Sequence, residues 1–452
     1  MTVRWVVSGF LILGGLAGFV LVSHGYGSPR LHLPLYVLAA ALHLVAVLAS
    51  RQVRASRAAV LLFVIVLALL LRVAVSLTPE SREGDYYRYM WDGALTAHGV
   101  SPYRFSPAQI LRGEVESPEV LKLSQEGRPV LTRINHPELR TLYPPLAQSL
   151  FALGYLIEPF NSTAWRAVLL LLDAAAGLLI LFLLRSARLP LAWSICYLWN
   201  PLLIVETYHY RHLDLAMAPF LLLFFWGAWK QRPYLAAGGL AAATAVKIWP
   251  VLLLPFLATC LWPRRLLVVK SVLAFTVFAA MLFIPYWTSV RYESSSGTVA
   301  YAKTWNANEL AFHGIQRISL RLTRTMNHVV DGRVASRAIL LLLLVAAGLW
   351  LGIRARGRGA ERLALAVATV VLLMVVAGPT VYPWYFVPAI ALSPFLTRPA
   401  LLFWTPLLIL TYLSRSVPNP SWLLVMIHLP AWLIVILQLR DLYRRPGKAP
   451  DA

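Results

Sequence analysis

Apolar runs, each about long enough to cross a bilayer, recur along this chain from one end to the other. A helix that crosses the hydrocarbon core needs roughly 20 consecutive apolar residues. Hydrophobic residues make up 59% of the chain and charged residues 13%, whereas a soluble domain carries about 25% charged residues. No single water-soluble core buries so much apolar surface. We therefore predict one all-α, polytopic membrane unit over residues 1–452, with about 11–13 transmembrane helices.

The apolar segments are separated by two long polar stretches, residues 78–143 and residues 288–335. A further segment, 144–160, is apolar but short and begins with two prolines. The predicted helical segments run over about 5–23, 33–50, 58–77, 163–184, 189–207, 213–229, 234–262, 266–287, 336–353, 361–381, 385–397, 400–414 and 421–439.

Arginine and lysine occur in short clusters between these segments, which is the pattern of cytoplasmic loops. All the clusters can share the cytoplasmic side if residues 144–160 do not cross the membrane and residues 234–262 reverse near Lys247. We therefore predict that 144–160 is an amphipathic helix lying along the outer surface. The clusters are Arg51, Arg54 and Arg57; Arg185 and Arg188; Lys230 and Arg232; Arg264, Arg265 and Lys270; Arg354, Arg356, Arg358 and Arg362; and Arg440, Arg444, Arg445 and Lys448.

The same topology sorts the remaining polar residues to the opposite side. Both termini are predicted in the cytoplasm, with residues 441–452 as a cytoplasmic tail of a multi-pass membrane protein. The loops 78–143 and 288–335 then face the outside, together with the residues around Asp214 and Lys247. Most of the candidate chemistry is thus expected on one face of the membrane.

The net charge of +22 does not indicate a nucleic-acid-binding protein, because no basic domain exists outside the apolar blocks. Cys196 and Cys260 both lie in apolar segments, so neither a disulfide framework nor a cysteine metal site is expected.

Asp85 lies a few residues past the third predicted helix, near the water boundary. Partial burial there can tune the pKa of a carboxylate, which suits a general base that takes a proton from a hydroxyl. Alternatively, Asp85 caps a surface helix beginning at Tyr86. Asp92 follows two helical turns later, on the same face. Glu83 and Asp85 form an acid-x-acid pair that can hold a divalent ion, but such pairs are common in polar loops, and we expect no metal or other cofactor.

Residues 206–214 concentrate ionisable groups at membrane depth, where they are costly and typically functional. This pattern favours a pocket for a sugar and a phosphate over a solvated turn with a snorkelling arginine. The charged and imidazole members are Glu206, His209, Arg211, His212 and Asp214. Lys247 precedes a Trp-Pro break in an apolar run, so it either presents its ammonium to a phosphate or snorkels to the interface.

Two later groups of residues are suited to binding a sugar. Asn308 and Gln316 offer amides in the second predicted loop. Trp384 and Tyr385 offer aromatic faces, although interfacial aromatics also form membrane belts. His43 and His428 stand alone in apolar segments and are interpreted as packing residues.

Several motifs in this chain resemble one family. They are Asp85-Tyr-Tyr-Arg-Tyr-Met-Trp-Asp-Gly, Gly99-Val-Ser-Pro-Tyr103, Ile134-Asn-His-Pro-Glu, Leu142-Tyr-Pro-Pro-Leu-Ala-Gln148, Asn200-Pro-Leu with Glu206, His212-x-Asp214, Ala245-Val-Lys247-x-Trp-Pro250 and Tyr382-Pro-Trp-Tyr385. Together they resemble bacterial GT-C glycosyltransferases, in particular mannosyltransferases that use polyprenyl-phosphate mannose. The resemblance covers roughly residues 78–390 at widely spaced points.

The resemblance implies a catalytic base at Asp85, in an outer loop (78–143) that carries surface helices. One departure from the family is the extra N-terminal hairpin, residues 1–57, because GT-C enzymes usually reach this loop after their first helix. Residues expected to bind the donor phosphate are Lys247, Arg211 and His212. Those expected to bind the sugar or acceptor are Arg88, Asp92, Tyr103, His136, Tyr143, Glu206, His209, Asp214, Asn308, Gln316, Trp384 and Tyr385.

The function expected from these features is inverting transfer of a sugar, with mannose implied by the resemblance, from a polyprenyl-phosphate carrier to an acceptor hydroxyl. The acceptor can be a glycolipid, a glycan or a protein. The absence of a Gly-rich nucleotide loop agrees with a lipid-linked donor. A transporter or flippase of lipid-linked glycans is the alternative, although such a protein would more typically show two related halves and midplane charges.

Overall fold

A computed structural model describes residues 3–53, 55–81, 84–289, 293, 295–325, 331–414, 417 and 420–444. It is 77% helical, and no β-strand occurs in these residues. The predicted fold class, an all-α polytopic membrane protein, is therefore confirmed.

Eight helices of the described part are long and apolar enough to cross a membrane. They are α1 (Val3–Ser23), α2 (His32–Ser50), α3 (Arg57–Ser76), α4 (Ser162–Ser186), α5 (Arg265–Trp287), α6 (Gly332–Ala355), α7 (Gly359–Ala377) and α8 (Ser421–Arg444). A ninth candidate is a pair, Pro201–His209 and Leu213–Trp229, that bends by 113°.

The count falls below the expected 11–13 because several apolar segments are broken into shorter pieces. Proline lacks an N–H and ends or kinks helices, and prolines recur in segments 189–207, 234–262 and 385–414. The shorter apolar helices there include Pro233–Val246, Trp249–Leu261 and Ala400–Tyr412, together with the one-turn pieces Leu191–Ser194, Ile195–Leu198, Pro383–Phe386, Val387–Ile390 and Ser393–Phe395.

The chain reverses direction at Lys247 and Ile248, as the sequence predicted. The side-chain amide of Gln231 donates to the carbonyl of Cys260 at 2.8 Å. That bond brings the start of Pro233–Val246 beside the end of Trp249–Leu261, so the two helices form a hairpin with Lys247 at its apex.

Many of the basic loop residues lie together at the end of the bundle opposite Lys247, here called the basic end. The Arg354 guanidinium lies 5.0 Å from the ring of Tyr443 near the end of α8, and Arg362 donates to the Leu442 carbonyl at 2.9 Å. Gly352 packs against Thr259, which joins this group to the Gln231–Cys260 contact. α8 continues to Arg444, so the predicted tail begins later than residue 441. Residues 445–452 lie outside the described part.

The opposite end, here called the loop end, carries short helices inserted between the long ones. Before α4 they are Asp85–Ala97, Pro107–Leu111, Pro118–Glu126, Arg128–Leu131 and Pro145–Ile157; before α6 they are Gly297–Lys303 and Ala311–Thr325. Asp85–Ala97 and Pro145–Ile157 pack so closely that a Cβ on Gly93 would lie 2.4 Å from the Phe151 carbonyl oxygen. Gly93 is thus required for this approach, and Pro145–Ile157, at 13 residues, is shorter than a crossing helix.

The N-terminal hairpin, α1 and α2, packs against the body of the protein. The ring of Trp5 stacks on Trp199 at 5.3 Å, and the Tyr36 hydroxyl donates to the Thr405 carbonyl at 3.0 Å. His43 is buried and its Nε2 lies 3.0 Å from the Ile195 carbonyl, which agrees with its interpretation as a packing residue.

Candidate active site

Asp85 is the first residue of the helix Asp85–Ala97 at the loop end. Gly84 precedes it as the capping residue, so the alternative that Asp85 itself caps a helix starting at Tyr86 is wrong. The carboxylate is half-buried and hydrogen-bonds to the side chain of Asn135. Because a helix N-terminus carries partial positive charge, this position favours a negative side chain.

The electrostatic surroundings of Asp85 suit a base. Burial raises the pKa of this carboxyl, and the Lys247 ammonium, the bond to Asn135 and the Arg88 guanidinium pull it back in part. A pKa above that of a free aspartate makes the carboxylate a stronger proton acceptor. Lys247 is therefore near enough to Asp85 to act on its charge, although 162 positions separate them in the sequence.

Lys247 and Asp214 form an ion pair within electrostatic reach of Asp85. Their Nζ and Oδ1 atoms are 2.7 Å apart, with 17% of the lysine side chain exposed and 3% of the aspartate. The same ammonium lies 3.8 Å from the centre of the Tyr385 ring, a cation–π contact. The structure thus brings together four predicted site residues, Asp85, Asp214, Lys247 and Tyr385.

Glu206 and His212 form a second pair within the same region. His212 Nδ1 lies 2.9 Å from a Glu206 carboxylate oxygen, and Tyr412 donates to that carboxylate at 3.1 Å. The imidazole stacks on Trp384 at 3.8 Å. Its Nε2 is buried and has no hydrogen-bond partner in the described part of the chain, so one nitrogen is held by a carboxylate and the other is available to a ligand.

The bend between Pro201–His209 and Leu213–Trp229 explains how these residues converge. Residues Val205–His209 form a π-helix, and such turns occur frequently at functional sites. Arg211 follows with φ +62°, a left-handed conformation that is uncommon for a side chain of its size. The bend turns Glu206, His212 and Asp214 towards the hairpin apex at Lys247.

Arg211 and His209 face away from Lys247 in this arrangement. The Arg211 guanidinium lies 4.8 Å from the centre of the Tyr86 ring, and its Nη1 donates to the His209 carbonyl at 3.1 Å. The His209 ring packs edge-on against Phe19 of α1, 5.2 Å away. Their predicted roles in binding the donor phosphate and the sugar remain predictions.

Arg88 braces the loop that carries Asn135. Its guanidinium donates to the carbonyls of Leu139 at 3.0 Å, His136 at 3.0 Å and Asn135 at 3.2 Å. These bonds hold Asn135 against Asp85, so Arg88 acts at the site at least as a positioning residue.

Asp92 lies on the same helix as Asp85, seven residues later, and is buried. Burial raises the pKa of its carboxyl to about 6, and Gln148 donates to it at 3.4 Å. Tyr103 donates to the Tyr143 carbonyl at 2.8 Å, and the Tyr143 hydroxyl lies 3.4 Å from that of Tyr89. These contacts pack the loop end together.

The remaining predicted residues line the junction with the second loop. His136 is exposed and lies edge-on to Trp305, with ring centres 4.5 Å apart. Asn308 donates to the Val381 carbonyl at 3.0 Å and accepts from Ser414, so its amide fastens this loop to the body. Gln316 is half-buried on Ala311–Thr325. Glu83 lies outside the described residues, so the Glu83–Asp85 metal pair remains a hypothesis.

Sequence reasoning missed a buried network beneath the π-helix. Arg72 of α3 pairs with Asp173 of α4 through two bonds, of 2.6 and 3.2 Å, and Tyr208 donates to the same carboxylate at 2.6 Å. Both charged residues sit alone inside apolar segments. Since intramembrane charges are usually paired or functional, that isolation was the signal that could have found them.

Comparison with known proteins gives one family. No curated protein matches the chain significantly. The model of glycosyltransferase family 87 matches residues 141–383, just over half of the chain, and the match includes Glu206, His212, Asp214 and Lys247. Asp85 precedes the matched region. The chain therefore belongs to glycosyltransferase family 87, a family of membrane glycosyltransferases of the GT-C type.

Proposed function

We propose that this glycosyltransferase moves a sugar from a polyprenyl-phosphate carrier to an acceptor hydroxyl, with inversion at the anomeric carbon. We further propose that the sugar is mannose and that the reaction takes place on the periplasmic face of the bacterial inner membrane. The observation that carries the proposal is the meeting of Asp85 with the Lys247–Asp214 pair at the loop end. An inverting displacement requires a base on the acceptor side of the anomeric carbon and a cation at the phosphate on the other side, both within one site.

Asp85 accepts the proton in the proposed reaction. The acceptor oxygen attacks the anomeric carbon, the bond from that carbon to the phosphate oxygen breaks on the opposite side, and the acceptor proton passes to the Asp85 carboxylate. The raised pKa of Asp85 brings its basicity nearer to that of a catalytic base working at neutral pH.

Lys247 stabilises the leaving group. A sugar ester of polyprenyl phosphate carries one negative charge, and the phosphate that departs carries up to two, so negative charge grows in the transition state. A cation already placed and partly shielded from water stabilises such charge strongly. Asp214 holds Lys247 at 2.7 Å and contacts sugar hydroxyls through its other carboxylate oxygen.

His212 supplies a second contact to the phosphate. With Glu206 accepting from Nδ1–H, the ring has a proton on Nε2 only as the imidazolium. Burial and the neighbouring Lys247 ammonium lower the pKa of this ring, so the protonated form depends on the arrival of a phosphate anion at Nε2, with the Glu206 carboxylate on the other side. Trp384 stacks between His212 and Tyr382 and holds that imidazole in place beside the sugar. Tyr385 contacts the sugar ring, and Tyr143, His136, Asn308 and Gln316 are candidates for the acceptor side of the site.

The function is tested with purified protein in liposomes and polyprenyl phosphate esters of labelled mannose, a pentose and a uronic acid. We expect label to leave the carrier and polyprenyl phosphate to accumulate, fastest with mannose, when lipid-linked or soluble glycan acceptors are supplied. A transporter would move the labelled lipid between leaflets intact. Movement of the donor without cleavage, for every donor and acceptor tried, would refute the transferase proposal.

Replacing Lys247 by methionine should weaken donor binding about 10- to 100-fold, which corresponds to a charge-assisted contact of roughly 1.5–3 kcal/mol. The dissociation constant is measured with a non-transferable polyprenyl phosphate ester. Because the single change leaves the Asp214 carboxylate buried and unpaired, the double variant K247M/D214N tests the same contact without that charge.

Lys270 provides the matched control for this prediction. It is an exposed lysine on the apolar helix α5, near the basic end, and Lys270→Met should leave donor affinity unchanged. Wild-type affinity in both K247M and K247M/D214N would exclude Lys247 from phosphate binding.

A further inference from the structure

A second group of basic side chains meets on the other side of the Glu206–His212 pair, between the N-terminal hairpin and the start of α4. Phe19 of α1 holds two of them, since its ring lies 5.1 Å from that of His32 and 5.2 Å from that of His209. His209 is within electrostatic reach of Arg211, His32 and Arg166. We call His32, Arg166, His209 and Arg211 the hairpin cluster.

The hairpin cluster has buried polar atoms that the protein leaves unused, although Arg166 Nη2 donates to Thr163 and Arg211 Nη1 to the His209 carbonyl. Arg166 Nε, Arg211 Nε and His209 Nδ1 are buried atoms without a hydrogen-bond partner in the described part of the chain. Arg211 is 1% exposed and His209 8%. Buried polar groups are nearly always hydrogen-bonded, and several unused ones side by side indicate a missing ligand with several acceptor oxygens.

The protein supplies little negative charge to this cluster. Glu80 is the acid that acts on Arg166 and Arg211, but its oxygens are shared with Ser162 and Tyr87, each at 3.2 Å. Two guanidinium groups with one half-engaged carboxylate leave a net positive site. A phosphate fits this surplus of charge because it offers both negative charge and several acceptor oxygens.

Arg211 is held in the cluster by a strained backbone conformation. Arg211 adopts φ +62°, and the indole N–H of Trp165 donates to its carbonyl at 2.9 Å. Trp165 neighbours Arg166 on α4, so this contact ties the backbone of Arg211 to the turn of α4 that carries Arg166. Strained backbone of this kind concentrates at ligand sites.

The surroundings of the cluster suit a lipid. His24, at the end of α1, lies 2.8 Å from the Leu77 carbonyl at the end of α3, which closes the hairpin turn against the body. Beside this contact, Leu21, Val73 and Leu77 are 54%, 59% and 65% exposed. An anion with an apolar tail can place its phosphate in the cluster and its chain along α1 and α3.

We propose that the hairpin cluster is a second binding site, separate from Lys247, for the phosphate group of a lipid. His212 lies between the two sites, within electrostatic reach of both Lys247 and His209. The site gives the extra N-terminal hairpin a role, since α1 and α2 supply Phe19 and His32. The lipid is either a polyprenyl phosphate, as in a lipid-linked acceptor, or a phospholipid of the bilayer, and only the first case rests on the proposed function.

The test counts lipids bound to the intact protein by native mass spectrometry in detergent, with sugar-free polyprenyl phosphate as the probe. The wild type should bind two molecules of the probe. Arg166→Gln should bind one, because its affinity for the second molecule should be at least tenfold lower than that of the wild type. His32→Gln changes a half-buried side chain and should lower that affinity a few-fold. Arg185→Gln, at the opposite end of the same helix, is the matched control and should bind two.

The variant K247M separates this proposal from the proposed function. If both sites exist, K247M binds one lipid through the hairpin cluster. If Lys247 does not bind phosphate but the hairpin cluster does, K247M matches the wild type while Arg166→Gln still loses a lipid. Wild-type lipid binding by both Arg166→Gln and His32→Gln would overturn the hairpin-cluster proposal.

Competition identifies the source of the phosphate. Displacement of polyprenyl phosphate from the Arg166-dependent site by phosphatidylglycerol assigns the site to a bilayer phospholipid. Resistance to phosphatidylglycerol assigns it to a polyprenyl-linked substrate. If inorganic phosphate displaces polyprenyl phosphate from this site as well as a phospholipid does, the proposal that the apolar tail contributes to binding is wrong.

Discussion

Replacing Asp85 by asparagine should reduce the rate of sugar transfer by about 10²–10⁴-fold, the usual contribution of a general base. Asparagine has nearly the same shape and can still hydrogen-bond to Asn135, so the helix Asp85–Ala97 should remain in place. It cannot accept the acceptor's proton. The measurement is single-turnover transfer from labelled polyprenyl-phosphate mannose at saturating donor.

Two further measurements make this result specific. Glu119→Gln removes an exposed carboxylate from another helix of the same loop and should leave the rate unchanged. The wild-type rate should fall as pH is lowered, because only the deprotonated base is active. A free aspartate has a pKa of about 3.9. Since burial raises the pKa of Asp85, the rate should begin to fall at a higher pH than it would with a free aspartate as the base. Near-wild-type turnover by Asp85→Asn would exclude Asp85 as the base.

Replacing Asp173 by alanine should destabilise the protein by about 3–5 kcal/mol, because it leaves the Arg72 guanidinium buried without its partner. Arg72 and Asp173 are 5% and 1% exposed, so water cannot replace the lost bonds. Tyr208 also loses its acceptor, which should loosen the π-helix Val205–His209, of which Glu206 is part, and lower the transfer rate. The change is measured as stability against SDS unfolding of the purified protein.

The double variant R72L/D173L separates burial of a lone charge from loss of the pair. It removes both charges and should recover much of the stability, since apolar replacement of a buried pair is often close to neutral. Its transfer rate should be below that of the wild type, as in Asp173→Ala, because Tyr208 lacks its acceptor in both variants. Glu114→Ala breaks an ion pair with Arg112 whose partners are 45% and 59% exposed, and should leave stability unchanged. A small loss of stability in Asp173→Ala would contradict the prediction.

Local sequence determined the membrane architecture because hydropathy acts on each segment separately. Eight of the apolar runs predicted long helices that the structure confirms, and the Trp-Pro break after Lys247 predicted the hairpin. The same rule, that isolated polar groups at membrane depth are functional or paired, selected Glu206, His212, Asp214 and Lys247. These are the residues that the structure brings together.

Only the tertiary structure decided which charges are partners. Asp85 and Lys247 lie 162 positions apart, and Arg72 and Asp173 lie 101 apart, so no local pattern pairs them. Arg211, predicted to assist Lys247, faces Tyr86 because the π-helix and the left-handed turn rotate it away from its neighbour His212. Hydropathy along a chain specifies which segments enter the membrane, whereas the pairing of buried charges depends on how those segments pack against one another, which is a property of the whole fold.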